Sequence, residues 1–105
     1  MIIVKNSEQL QLMRRAGRIT GEALLVARDM IRPGISTKEI DTAIRAYIEK
    51  CGAIPSFLGY GGFPASACIS LNDEVIHGIP SDKTILTEGD IVKIDVGARY
   101  RGYRI

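Results

Sequence analysis

Apolar positions recur at helical spacing in the first half of the chain and alternate two by two in parts of the second. Met13, Ala16, Thr20, Ala23, Leu24, Ala27 and Ile31 follow a helical period, while Arg14, Arg15, Arg18, Glu22 and Arg28 take mostly other directions. Asn6 can cap this helix, and Glu8 lies in its first turn, where the positive end of the dipole favours a carboxylate. Pro33-Gly34 stops it. A second helix opens on a capping box, Ser36-Thr37-Lys38-Glu39, with Ile35 and Ile40 spaced as a hydrophobic staple. Ile40, Ala43, Ile44, Tyr47 and Ile48 form its apolar stripe, and Gly52 is a natural stop. Both helices read as scaffold.

Beyond Gly52 the pattern changes. Pro55, Gly59, Gly61, Gly62 and Pro64 break up residues 53–65, which predicts a loop or an irregular strand. Ala67–Leu71 and Glu74–Ile79 read as a hairpin around Asn72-Asp73. A turn at residues 87–90 leads to a strand over Ile91–Val96, and a turn over Gly97–Gly102 to a last strand at Tyr103–Ile105. The expected architecture is two amphipathic helices packed on an antiparallel sheet. A domain that closes on the first residues of a return strand leaves backbone groups unpaired. We therefore expect the 105 residues to be a truncated part of a larger domain. Its open sheet edge, such as Ile91–Val96, would invite self-association.

Composition narrows the function classes. The length allows one domain with a modest core. A net charge of +2, with basic clusters only at Arg14-Arg15 and between Arg99 and Arg104, lacks the sustained basic face of a nucleic-acid binder. Cys51 and Cys68 make neither a disulfide scaffold nor a metal-type CxxC. No run approaches the ~20 apolar residues of a membrane span, and Met1–Lys5 is too short for a signal-peptide core. The expected address is the cytoplasm.

Three features can carry chemistry. Strand alternation puts Val92, Ile94 and Val96 on one face and Lys93 and Asp95 on the other. Asp95 is then either a solvated carboxylate or a hard oxygen ligand on a rigid strand, and metal-activated hydrolysis needs several such carboxylates together. His77, the only histidine, is open between metal ligand, proton carrier and structural imidazole. It stands beside Gly78, which permits close approach of a ligand or another backbone, and ahead of Pro80. Phe57, Tyr60 and Phe63 place three of the chain's aromatics (four Tyr and two Phe in all) within a glycine-rich loop. They cover a core edge or wall an apolar pocket.

Read together, three stretches resemble type I methionine aminopeptidases in order and spacing. They are Gly59-Tyr60-Gly61-Gly62-Phe63-Pro64-Ala65-Ser66, Asn72 through Pro80, and Glu88 through Gly97. Met13–Gly17 and Arg32-Pro33-Gly34 are also similar, so the resemblance runs to about Gly102. It implies an α/β (α+β) fold, the N-terminal half of a "pita-bread" enclosing a two-metal site. It also implies removal of N-terminal methionine from peptides and nascent proteins with two divalent ions, Co, Mn, Fe or Zn.

By the same resemblance Asp95 is a metal-bridging aspartate. His77 contacts the substrate amide and assists proton movement, and Phe57, Tyr60, Phe63 and Cys68 line the methionine pocket. Two departures stand out. Gly61 occupies a position held by histidine in some members, and the family's Gly-Tyr-His-Gly-Asp reads here as Gly102-Tyr103-Arg104-Ile105. Asp95 is thus the only matched metal ligand, and the 105-residue chain alone is expected to be inactive, without tightly bound metal. The alternative is a non-catalytic protein-binding module on the same fold.

Overall fold

A computed structural model describes residues 7–59, 62–72, 78–101 and 103–104. Two helices come first, α1 over Ser7–Met30 and α2 over Thr37–Lys50. Five short strands follow: β1 (Ile54–Pro55), β2 (Ala67–Leu71), β3 (Val92–Val96), β4 (Ala98–Tyr100) and β5 (Tyr103–Arg104). They form two antiparallel sheets, one ordered β1-β4-β5 and the other β2-β3. The architecture is the one expected, helices covering antiparallel sheet.

Local chemistry explains α2. The Glu39 N–H donates to the Ser36 hydroxyl at 3.1 Å, forming the expected cap. Ile40, Ile44 and Ile48 are fully buried, each contributing about 2 kcal/mol of apolar burial. Cys51 closes the helix, and Gly52 follows at φ +78°, a left-handed turn suited to glycine.

In α1 the buried residues are Ala16, Ile19, Thr20, Ala23 and Ala27. This corrects the expected stripe: Leu24 and Ile31 are exposed, and Ile19 takes the large buried position. The face is narrow and made mostly of alanine, so α1 lies close against α2 and β4, and Leu24 falls at its margin. Asn6, the expected cap, lies outside the described residues.

The core joins α1 and α2 to Ala67 and Ile69 of β2, Leu86 and Ala98. One strand expectation changes, and another falls partly outside the described residues. The antiparallel partner of β2 is β3, registered from Ala67 opposite Val96 to Leu71 opposite Val92. Of the expected hairpin partner over Glu74–Ile79, residues 74–77 lie outside the described residues. Gly78 meets the other edge of β2, where the Ile69 N–H donates to the Gly78 carbonyl at 2.8 Å.

The expected turn over Gly97–Gly102 contains β4. Its reason is tertiary: Ala98 is fully buried, and its N–H donates to the Thr20 hydroxyl at 3.1 Å. Ile54-Pro55 pairs along β4 from the far side. Arg101, at φ 50°, then turns the chain into β5.

Candidate functional site

The strand β3 presents Asp95 as expected: Val92, Ile94 and Val96 are half-buried while Lys93 and Asp95 are exposed. Cys68 on β2 stands directly opposite Asp95, and Ser70 opposite Lys93. Opposed residues of an antiparallel pair share a sheet face, so Cys68 and Asp95 are neighbours. Cys68 is buried, and its thiol is pushed up first by that burial and then by the Asp95 charge. A neutral thiol of this kind is a small apolar wall beside a carboxylate.

Two further segments converge on this pair. Gly78, which follows His77 in the chain, donates its N–H to the Ser70 hydroxyl at 3.2 Å. A Cβ at Gly78 would run into the Ile69 carbonyl and the Ser70 hydroxyl, so the close approach expected of this glycine is required by backbone packing. On the other side, the Ser56 N–H donates to the Gly97 carbonyl at 2.9 Å. That bond moors the start of the aromatic loop two residues beyond Asp95.

Within the loop, Phe57 and Phe63 meet edge to face with centroids 6.2 Å apart, and both are half-buried. The Gly59 N–H donates to the Phe63 carbonyl at 2.9 Å, and Gly59 and Gly62 both adopt positive φ. The loop therefore folds back on itself, which glycine permits. Its Tyr60 lies outside the described residues, as does His77.

Sequence reasoning missed Asp41. Its carboxylate accepts from the N–H groups of Ser66 at 2.9 Å and Ala67 at 2.8 Å, pinning the entry of β2 to α2. Burial raises its pKa, against the lowering effect of those two N–H groups and of Arg45. The signal was available: Thr37, Asp41, Ile44 and Ile48 recur at helical spacing, so a carboxylate sits within the buried stripe. A cleft of about 320 Å³ opens beside it, between Pro64-Ala65 and Ile79–Asp82.

A hard-oxygen carboxylate such as Asp95 suits a divalent ion as one of several ligands. Among the described residues, no three His, Cys, Asp or Glu side chains gather to complete such a set. No described helix is long and apolar enough to cross a membrane.

Residues 11–105 match metallopeptidase family M24. The chain belongs to that family. Among M24 relatives, it is 51% identical to a methionine aminopeptidase of Clostridium acetobutylicum, covering 99% of the chain and 42% of the relative. It is 50% identical to methionine aminopeptidase 1 of Bacillus subtilis, covering 98% of the chain and 41% of that relative. The chain thus spans about two fifths of the length of these M24 proteins. The crystal structure of methionine aminopeptidase from Thermotoga maritima superimposes with a TM-score of 0.92 at 38% identity. That match covers 97% of the chain and 41% of the solved one. The resemblance seen in the motifs and the expected first half of a pita-bread fold both hold.

Proposed function

We propose that this M24 chain supplies the first part of the active site of a cytoplasmic methionine aminopeptidase, which removes N-terminal methionine from peptides and nascent proteins. The observation that carries the reading is the cross-strand pair of Asp95 and Cys68, bordered by the aromatic loop and by the segment after His77. A carboxylate beside an apolar thiol combines an ion ligand with a pocket wall. In this reading Asp95 holds metal, while Phe57, Tyr60, Phe63 and Cys68 receive the methionine side chain, whose thioether packs well against aromatic edges. His77 contacts the substrate amide and moves a proton. Two divalent ions, when bound, supply an activated water.

One matched carboxylate is too few to offset dehydration of two ions. Residues 1–105 alone should therefore show no turnover. Joined to the part of the Clostridium acetobutylicum relative that lies beyond the matched region, they should release methionine from a Met-Ala-Ser peptide with cobalt or manganese. Chelator should abolish that release. Chelator-sensitive turnover by residues 1–105 alone, with host enzyme excluded, would show that the site has been misassigned. A joined, folded and metal-loaded protein without turnover would favour a binding module.

A further inference from the structure

Asp41 and Thr37 stand one turn apart on α2, on the same side of the helix, and both are buried. Each grips a different segment of the candidate site. Asp41 accepts from the consecutive N–H groups of Ser66 and Ala67, immediately before Cys68. The Thr37 hydroxyl donates to the Ser81 carbonyl at 3.2 Å and accepts from the Ser81 N–H at 2.9 Å. Ser81 closes the stretch that runs on from His77 and Gly78. One helix face thus holds the strand entry leading to Cys68 and the exit of the histidine segment, with the cleft between them.

Stability accounts for only part of this arrangement. The neighbouring positions of the face are Ile40, Ile44 and Ile48, and an apolar residue at 41 would avoid desolvating a carboxylate while leaving the Ser66 and Ala67 N–H groups without their acceptor. What the carboxylate adds is geometry, because two adjacent N–H groups aimed at one oxygen fix the register of the chain that follows. Ala67 opposes Val96, and Cys68 opposes Asp95, so a shift at Ser66 would displace the thiol from the carboxylate.

We propose that Asp41 is a positioning residue, which holds Cys68 in register with Asp95, and that Thr37 does the same for the segment after His77. The assignment of these segments to methionine binding and proton transfer rests on the function proposed above. The geometric claim itself does not.

The test uses the 105-residue chain and its two cysteines outside any disulfide, Cys68 buried and Cys51 half-exposed. Labelling with N-ethylmaleimide near neutral pH, mapped by mass spectrometry, reads both sites in one sample. Asp41→Ala should speed labelling of Cys68 about tenfold while Cys51 changes less than about twofold. Asp41→Asn keeps an acceptor oxygen at a residue that lines the cleft, so Cys68 should stay within about threefold of the parent rate. Thr37→Val should leave Cys68 unchanged and raise amide hydrogen exchange at Ser81 about tenfold.

An unchanged Cys68 rate in a folded Asp41→Ala chain would overturn the proposal. So would equal acceleration at Cys51 and Cys68, which means general loosening. Should Asp41→Ala fail to fold, Asp41→Asn decides by amide exchange at Ser66 and Ala67: slow exchange upholds the proposal, and rapid exchange in a folded chain overturns it. Labelling does not depend on turnover, so its failure would leave the functional reading to its own assay.

Discussion

The two helices and the strand-and-loop region differ in what holds them. In α2 the cap, the stripe and the stop are all local: Ser36 receives the Glu39 N–H, three isoleucines line one face, and Gly52 ends the helix. In the strand-and-loop region the strands are five residues or shorter, too short to be independently stable. Their placement depends on polar bonds thrown from the helices, including Thr20 to Ala98, Asp41 to Ser66 and Ala67, and Thr37 to Ser81. The candidate chemistry lies in the region held by tethers. A rigid helical pair thereby positions short segments rich in glycine, which gives precision to elements that could not supply it themselves.

The largest effect should come from the helical side. Ile44→Ala removes a fully buried side chain between α2 and the sheet, and should cost about 3–4 kcal/mol in urea unfolding. A loss below about 1 kcal/mol would mean that the core does not depend on α2. Next is a tether. Thr20→Val keeps the shape but leaves the buried Ala98 N–H without its acceptor, at a cost of about 2 kcal/mol. That loss should be accompanied by faster amide exchange in β4, while α2 stays protected. Uniform exchange across both regions would erase the distinction between them. Ser36→Ala should cost about 1 kcal/mol, read as fraying at the start of α2 with little change at Ala98.

The smallest effect concerns pH. Burial holds the Asp41 pKa above its ordinary value. A carboxyl whose folded pKa is raised contributes its stability below the unfolded pKa and loses it as pH rises through the folded one. Asp41→Asn should therefore gain on the parent at neutral pH, and the gap should narrow on acidification toward the ordinary carboxylate range. A gap that widens on acidification would mean that the two backbone N–H groups outweigh burial.

The same contrast explains what the sequence made legible. Helix α2 could be read nearly to the residue because its determinants are neighbours in the chain. The polar face of β3 followed from alternation, which placed Asp95 opposite the side of Val92, Ile94 and Val96. Strand β4 was missed because Ala98-Arg99-Tyr100 is short and only Tyr100 in it favours a strand. It forms through Ile54-Pro55, far away in sequence, and through the Thr20 hydroxyl. Leu24 and Ile19 were exchanged because period alone does not tell which edge of a stripe the neighbouring helix covers. Asp41 went unread for a related reason: its partners, Ser66 and Ala67, are more than two dozen residues along the chain. The three ordered motifs nevertheless sufficed for the resemblance to type I methionine aminopeptidases, because each is a run of neighbouring residues that is legible without the fold.

The central claim is that this tethered region brings a metal-holding carboxylate to a methionine pocket, and Asp95→Asn tests it most directly. The substitution belongs in the protein formed by joining residues 1–105 to the remainder of the Clostridium acetobutylicum relative. Asparagine keeps the size of the side chain and removes its charge, so the fold of β3 should persist. We predict that kcat for Met-Ala-Ser falls about a hundredfold or more, with fewer tightly bound metal ions and an unchanged melting profile. Turnover and metal content equal to the parent's, in a folded protein, would contradict the account.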